Sequence, residues 1–175
     1  MTNRYNQDLV IDIESSGPYP WDGKIVCVGC KNCKDSEVKI FHDDNEEKLI
    51  IEFLQYFNRN KFTRLIGYNV AHDYRFLVSK CLKYRIALVD FQYVKLVDVM
   101  KILKGSFNGH NFNLNRPGNL NQWSKFLIGR GKLIKDKSVK DLLSENRINE
   151  ILEYNRVDVE LTFQIWDRIN QVMVV

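Results

Sequence analysis

The chain has 175 residues, 45% of them hydrophobic and 27% charged, with three prolines, nine glycines and a net charge of +4. These proportions exclude a disordered tail, a collagen-like repeat and a disulfide-framework miniprotein, and the length provides for one domain with a full core. No apolar run is long enough to cross a membrane and residues 1–8 hold no signal-peptide stretch, so a cytoplasmic protein with reduced thiols and no membrane partner is expected.

Residues 8–14 are short, rich in β-branched side chains and end at Ser15-Ser16-Gly17, the pattern of a buried strand. Residues 24–30 and 37–41 predict two more strands, and the three form an antiparallel meander. Asp44 with Glu47 reads as an acidic capping box. The helix it opens places Leu49, Ile50, Phe53, Leu54 and Phe57 on one face. A short strand is predicted over 64–68, a helix over 71–82 with Phe76, Leu77 and Cys81 in register, and a fifth strand over 92–97. A short helix then runs to Leu103. Residues 105–122 hold six asparagines, three glycines and Pro117, which predicts a long loop. Residues 123–128 give a helical turn closed by Gly129 and Gly131. The final segment, from 148 to about 172, is a long amphipathic helix. The sum is one α/β domain over residues 1–175 with a mixed sheet.

Side chains alternate along a strand, so Asp12 and Glu14 leave the same face of the first strand. Two carboxylates within an apolar strand are costly unless a cation pairs them, and a divalent metal is the economical answer. The apolar stripe of the last helix runs through Ile151, Tyr154, Leu161, Ile165 and Ile169, and Asp158 lies on it four residues after Tyr154. A fourth inward carboxylate is Asp73, which shares a helical face with Phe76, Leu77 and Cys81. Pairing with the helix dipole would also account for an aspartate there.

The segments Asp12-Ile13-Glu14, Asn69 to Asp73, and Tyr154 to Asp158 resemble the three motifs of the DEDD 3′–5′ exonucleases. Tyrosine four residues before the last aspartate is the pattern of the tyrosine subclass, DEDDy. The surrounding wording is closest to the proofreading domain of family B DNA polymerases and stand-alone relatives, over about residues 8–166. The resemblance implies a ribonuclease-H-like fold, with a five-stranded mixed sheet flanked by helices. It implies two divalent cations, Mg²⁺ or Mn²⁺, held by Asp12, Glu14, Asp73 and Asp158, with Tyr154 orienting the attacking water. It implies hydrolysis of single-stranded DNA from a free 3′ end to 5′-mononucleotides, beside a polymerase or in repair. Ser15, Ser16, Gly17, Asn69, His72, Phe76 and Arg116 are the expected substrate contacts. His72 departs from the family wording, which has phenylalanine before the aspartate. RNA or short oligonucleotides as substrate, or a weakly active nucleic-acid-binding subunit, remain open alternatives.

Charge agrees with a polyanionic partner. Residues 61–140 hold sixteen lysines and arginines against four acids, a local +12, whereas the rest of the chain carries −8. A solvated lysine-rich surface accounts for the asymmetry equally well. Lys125, Arg130, Lys132, Lys135, Lys137 and Lys140 could form a basic rim guiding a nucleic-acid backbone. Phe107, His110, Phe112 and Arg116 could meet a single strand. Cys27, Cys30 and Cys33 have a spacing that invites a zinc site, but Cys27 and Cys30 face opposite ways on a strand and are expected to be ordinary thiols.

Overall fold

The computed structural model describes residues 7–32, 34–105, 117–133 and 137–173. Alternation in the first strand, β1 (Asp8–Ser15), sets the layers. Leu9 and Ile11 enter one core and Val10 enters another on the opposite face. β1 is the central strand of a five-stranded sheet of order β3-β2-β1-β4-β5. β2 (Ile25–Lys31) runs antiparallel to β1, and β3 (Lys39–His42) antiparallel to β2, which is the expected meander. β4 (Arg64–Gly67) lies parallel to β1, and β5 (Lys95–Asp98) parallel to β4. Helices α1 (Glu46–Asn60) and α2 (Val70–Tyr84) make the crossovers after β3 and β4. They bury Leu49, Phe53, Phe57, Phe76 and Leu77 against Leu9, Ile11 and Leu65. The opposite face is covered by α4 (Leu120–Ile128) and the long α6 (Ile148–Val172), which pack Leu120, Val159, Leu161 and Ile165 on Val10, Ile66 and Val97. The sheet is therefore mixed and flanked by helices on both faces, as expected. Two short helices complete the chain, α3 (Val99–Leu103) and α5 (Val139–Ser144). Among the described residues, no helix is long and apolar enough to cross a membrane.

Three local expectations are corrected. The N-cap of α1 is Asn45 rather than Asp44, because the Asn45 carboxamide oxygen accepts the N–H groups of Glu47 and Lys48 at 3.0 and 3.1 Å. β5 begins at Lys95, not 92. Phe91 drops through a 3-10 turn into an aromatic core with Phe53, Phe57 and Tyr74 before the chain extends. Helix α4 starts at Leu120, three residues earlier than expected, because Asn119 and Gln122 form a reciprocal capping box. A similar box, Ser138 with Asp141, opens α5, which the hydrophobic pattern alone did not reveal.

Two buried polar clusters pin the strands. Asp8 accepts from Arg64 Nε at 2.6 Å and from Trp166 Nε1 at 3.1 Å, tying the start of β1 to β4 and α6. Lys80, 2% exposed, pairs with buried Glu46 at 3.2 Å and donates to the Gly23 carbonyl. Glu46 also accepts the Ile25 N–H and the Tyr84 hydroxyl, both at 2.6 Å. This clamp fastens the turn between β1 and β2 to α1 and α2. In that turn Gly17 and Gly23 approach so closely that a Cβ on Gly23 would lie 2.7 Å from the Gly17 nitrogen.

Candidate active site

The polar end of β1 lies under α6. Asp12 and Glu14 share the face of Val10, as alternation requires, and Asp158 comes down on them from α6. One carboxylate oxygen from each of Asp12, Glu14 and Asp158 lies within 4.8 Å of the other two. Glu14 and Asp158 are buried and Asp12 half-buried. Tyr154, one helical turn before Asp158, is buried beside Val26, Cys27, Leu142 and Ile151. Asn155 donates from Nδ2 to the Asp12 carboxylate at 2.8 Å and to the Asp12 carbonyl at 3.0 Å.

Asp73 stands next to this group without belonging to it. It sits in the first turn of α2 and accepts the Ile13 N–H at 3.0 Å. Asn69, just before α2, adopts a left-handed conformation (φ 67°), which asparagine tolerates better than most residues. Its N–H donates to Asp98 at 3.0 Å, and the same Asp98 oxygen caps α3 through Met100 and Lys101. Asp98 thereby joins the end of β5 to the entry of α2.

The electrostatics of the cluster are unbalanced. Burial, then the carboxylates of Asp73, Asp158 and Glu14, push the Asp12 carboxyl well above its ordinary range, and the Lys132 ammonium pulls against them. Burial also pushes Asp73 up, to about 8, with the Ile13 N–H opposing and Glu14 and Asp98 adding to the rise. Lys132 forms an ion pair with Asp158. Its position follows from a tight fold of the chain after α4. The Lys132 N–H donates to Asn121 at 2.9 Å, and a Cβ on Gly131 would lie 2.5 Å from the same Asn121 oxygen. Clustering three carboxylates, one of them paired with Lys132, concentrates acidic oxygens at this point. Carboxylate oxygens as the sole donors fit a hard divalent cation such as Mg²⁺ or Mn²⁺.

The expected substrate residues divide. Ser15, Ser16 and Gly17 lie in the half-buried turn directly after Glu14, where Ser15 Oγ donates to the Gly17 carbonyl at 2.7 Å. Asn69 is exposed. His72 is half-buried, 5.2 Å from the Phe76 ring and 3.4 Å from the Arg75 guanidinium. Phe76 is corrected. It is fully buried among the core side chains under α1 and α2, and it offers no surface to a substrate. Arg116, Phe107, His110 and Phe112 lie outside the described residues, as does Cys33. Cys27 and Cys30 are buried on opposite sides of the sheet. Burial pushes the Cys30 thiol up, away from the thiolate a soft metal needs.

Sequence reasoning missed three contributors. Asn155 and Asp98 look like ordinary polar residues until their partners are seen. Lys132 was expected on a surface rim and instead reaches Asp158. The turn after Glu14 also carries Tyr19 and Trp21, stacked with ring centroids 4.8 Å apart and planes 4° from parallel. Trp21 is 78% exposed.

A family model described as the RNase_H superfamily matches residues 9–130. An uncharacterized protein of Methanocaldococcus jannaschii is 33% identical over 98 residues, which cover 55% of this chain and 54% of that protein. The match thus spans about half the length of that relative. The structure of a family B DNA polymerase from the hyperthermophilic archaeon Pyrobaculum calidifontis aligns with a TM-score of 0.74 at 16% identity. That alignment covers 93% of this chain and 24% of the polymerase chain, and at this identity it is a likeness of fold.

Proposed function

Because the chain belongs to the RNase H superfamily, we propose that it is a metal-dependent 3′–5′ exonuclease of the DEDDy type that degrades single-stranded DNA to 5′-mononucleotides. The observation that carries this reading is the convergence of Asp12, Glu14 and Asp158 within 4.8 Å, with Tyr154 one helical turn away on α6. Divalent cations held there would supply the Lewis acidity that activates water and stabilises the leaving 3′ oxygen. Asp73, adjacent to the group, would complete the ligand set. The Tyr154 side chain orients the attacking water. Lys132, paired with Asp158, offers an ammonium beside the carboxylates to a substrate phosphate. The turn at Ser15, Ser16 and Gly17 borders the terminal nucleotide. The exposed Tyr19–Trp21 stack and the +12 segment suit an unpaired strand with its phosphates. Likeness to a DNA polymerase fold favours DNA over RNA and supports a partner that makes or repairs DNA.

The test uses 5′-labelled single-stranded DNA and RNA of one sequence with Mg²⁺, Mn²⁺ or EDTA. The expected result is a metal-dependent ladder shortening from the 3′ end, faster on DNA and absent in Asp12→Ala and Asp158→Asn proteins. A faster RNA ladder would move the substrate to RNA. Binding of either strand without cleavage in any metal would overturn the enzyme and leave a binding subunit.

A further inference from the structure

Asn155 is placed in a way that packing alone does not explain. Its side chain is fully buried on α6. One nitrogen donates twice to the same residue, to the carbonyl and to the Oδ2 of Asp12. The other end of the carboxamide, Oδ1, is buried and has no hydrogen-bond partner among the described residues. A leucine would fill the same volume without leaving an acceptor unpaired. The orphaned oxygen fits only because residue 29 is glycine, since a Cβ there would lie 2.0 Å from Asn155 Oδ1. Gly29 is also the residue directly opposite Asp12 in the β1–β2 register. Three positions therefore interlock: Asp12 on β1, Gly29 on β2 and Asn155 on α6.

We infer that Asn155 is a positioning residue that sets the orientation of the Asp12 carboxylate for metal binding. This rests on the metal-dependent nuclease reading given above. Holding both the backbone and the carboxylate of Asp12 from a single nitrogen restricts rotation of the side chain between them. The choice of an amide matters chemically. A neutral donor steers the carboxylate without cancelling the charge that a cation requires, whereas an ammonium in its place would compete with the cation. An amide also keeps its donor at every working pH. Gly29 belongs to the device, because any side chain there displaces the carboxamide.

The experiment compares wild type with Asn155→Leu and Gly29→Ala, using Mn²⁺ alone in calorimetric titrations, kcat and KM on labelled single-stranded DNA, and thermal unfolding. Partners that orient metal ligands typically matter by about 10- to 100-fold in affinity or rate. Asn155→Leu is expected to weaken Mn²⁺ binding and lower kcat by at least about tenfold, with KM within about twofold and a Tm close to wild type. Gly29→Ala is expected to give the same losses of Mn²⁺ affinity and kcat by a different route, with the asparagine still in the chain but displaced, and with a lowered Tm from the crowding. Mn²⁺ affinity and kcat unchanged in Asn155→Leu would overturn the inference. So would a lowered Tm with normal affinity and kcat in the folded protein, which is the mark of a merely structural residue. If wild type cleaves no nucleic acid, the nuclease reading falls, and the Mn²⁺ titrations still decide the role of Asn155.

Discussion

Replacing Lys80 by methionine tests how the turn beside the carboxylates is held. The change keeps most of the side-chain volume and removes the ammonium. Glu46 is then left 5% exposed, with its charge facing the Ile25 N–H and the Tyr84 hydroxyl alone. Lys83, 3.9 Å away on a largely exposed side chain, offsets little of this, since such pairs contribute about 0–1 kcal/mol. Removing one partner of a buried pair typically costs about 3–5 kcal/mol, and the Gly23 carbonyl loses its donor as well. Against a total stability of about 5–15 kcal/mol, the variant remains folded with a clearly lowered urea midpoint. Adding Glu46→Gln removes the stranded charge while keeping an acceptor for the Ile25 N–H. The double variant is therefore expected to be more stable than Lys80→Met alone, by about 2 kcal/mol or more. Urea unfolding of the four proteins at one pH gives the full cycle. A loss below about 1 kcal/mol in Lys80→Met, or single-variant losses that simply add in the double, would refute the clamp as argued.

Asp12→Asn is expected to raise the Tm of the metal-free protein by several degrees while abolishing cleavage, because it removes a carboxyl whose ionisation burial and three neighbouring carboxylates oppose. Differential scanning with and without Mn²⁺ checks this, and the Mn²⁺-induced shift should vanish with the charge. The folded-state pKa values of Asp12 and Asp73 lie above their unfolded values, so protons favour the folded form. Their stabilising protonation is complete below about pH 4 and is lost as pH rises, through about 8 for Asp73. His72, held low by burial and Arg75, works in the opposite direction until its unfolded form has also lost its proton, at about pH 7.5. Between about pH 7.5 and 8.5 the metal-free Tm should therefore fall, and saturating Mg²⁺ should flatten the slope; a rising metal-free Tm there would contradict the assignment. Trp21→Ala is expected to raise KM for single-stranded DNA by about 5- to 150-fold, the equivalent of one base stack, with kcat nearly constant. A p-nitrophenyl mononucleotide ester, which has no second base to stack, should be hydrolysed as by wild type.

Much of the site was legible because it obeys simple periodicities. Two-residue alternation placed Asp12 and Glu14 on one face of β1, and four-residue spacing placed Tyr154 and Asp158 on the buried side of α6. The same reasoning carried a contradiction at Phe76, which shares a face with Asp73 and for that reason turns into the core rather than toward a substrate. What the pattern hid depends on contacts distant in sequence. Asn155 reaches Asp12 across 143 positions, and no local signal marks such a partner. Lys132 is one cation among many in a basic segment, and only the fold of Gly131 onto Asn121 brings it to Asp158. The starts of α4 and α5 were written in their capping boxes, which a search for apolar stripes passes over.

The central position of β1 has a consequence for the order in which the protein acquires its parts. β1 must pair with β2 on one side and β4 on the other, and then receive α6, whose Trp166 bonds Asp8 across 158 positions. Contacts between such distant segments close large loops, and their entropy must be overcome before the contacts return any stability. The sheet and the core under α1 and α2 draw on nearer neighbours, whereas the carboxylate group is shared between the first strand and the last helix. No folding intermediate lacking a docked α6 can hold the complete group. A cation held by all three carboxylates would thus bind only the finished chain, with an affinity that develops as α6 settles on the sheet.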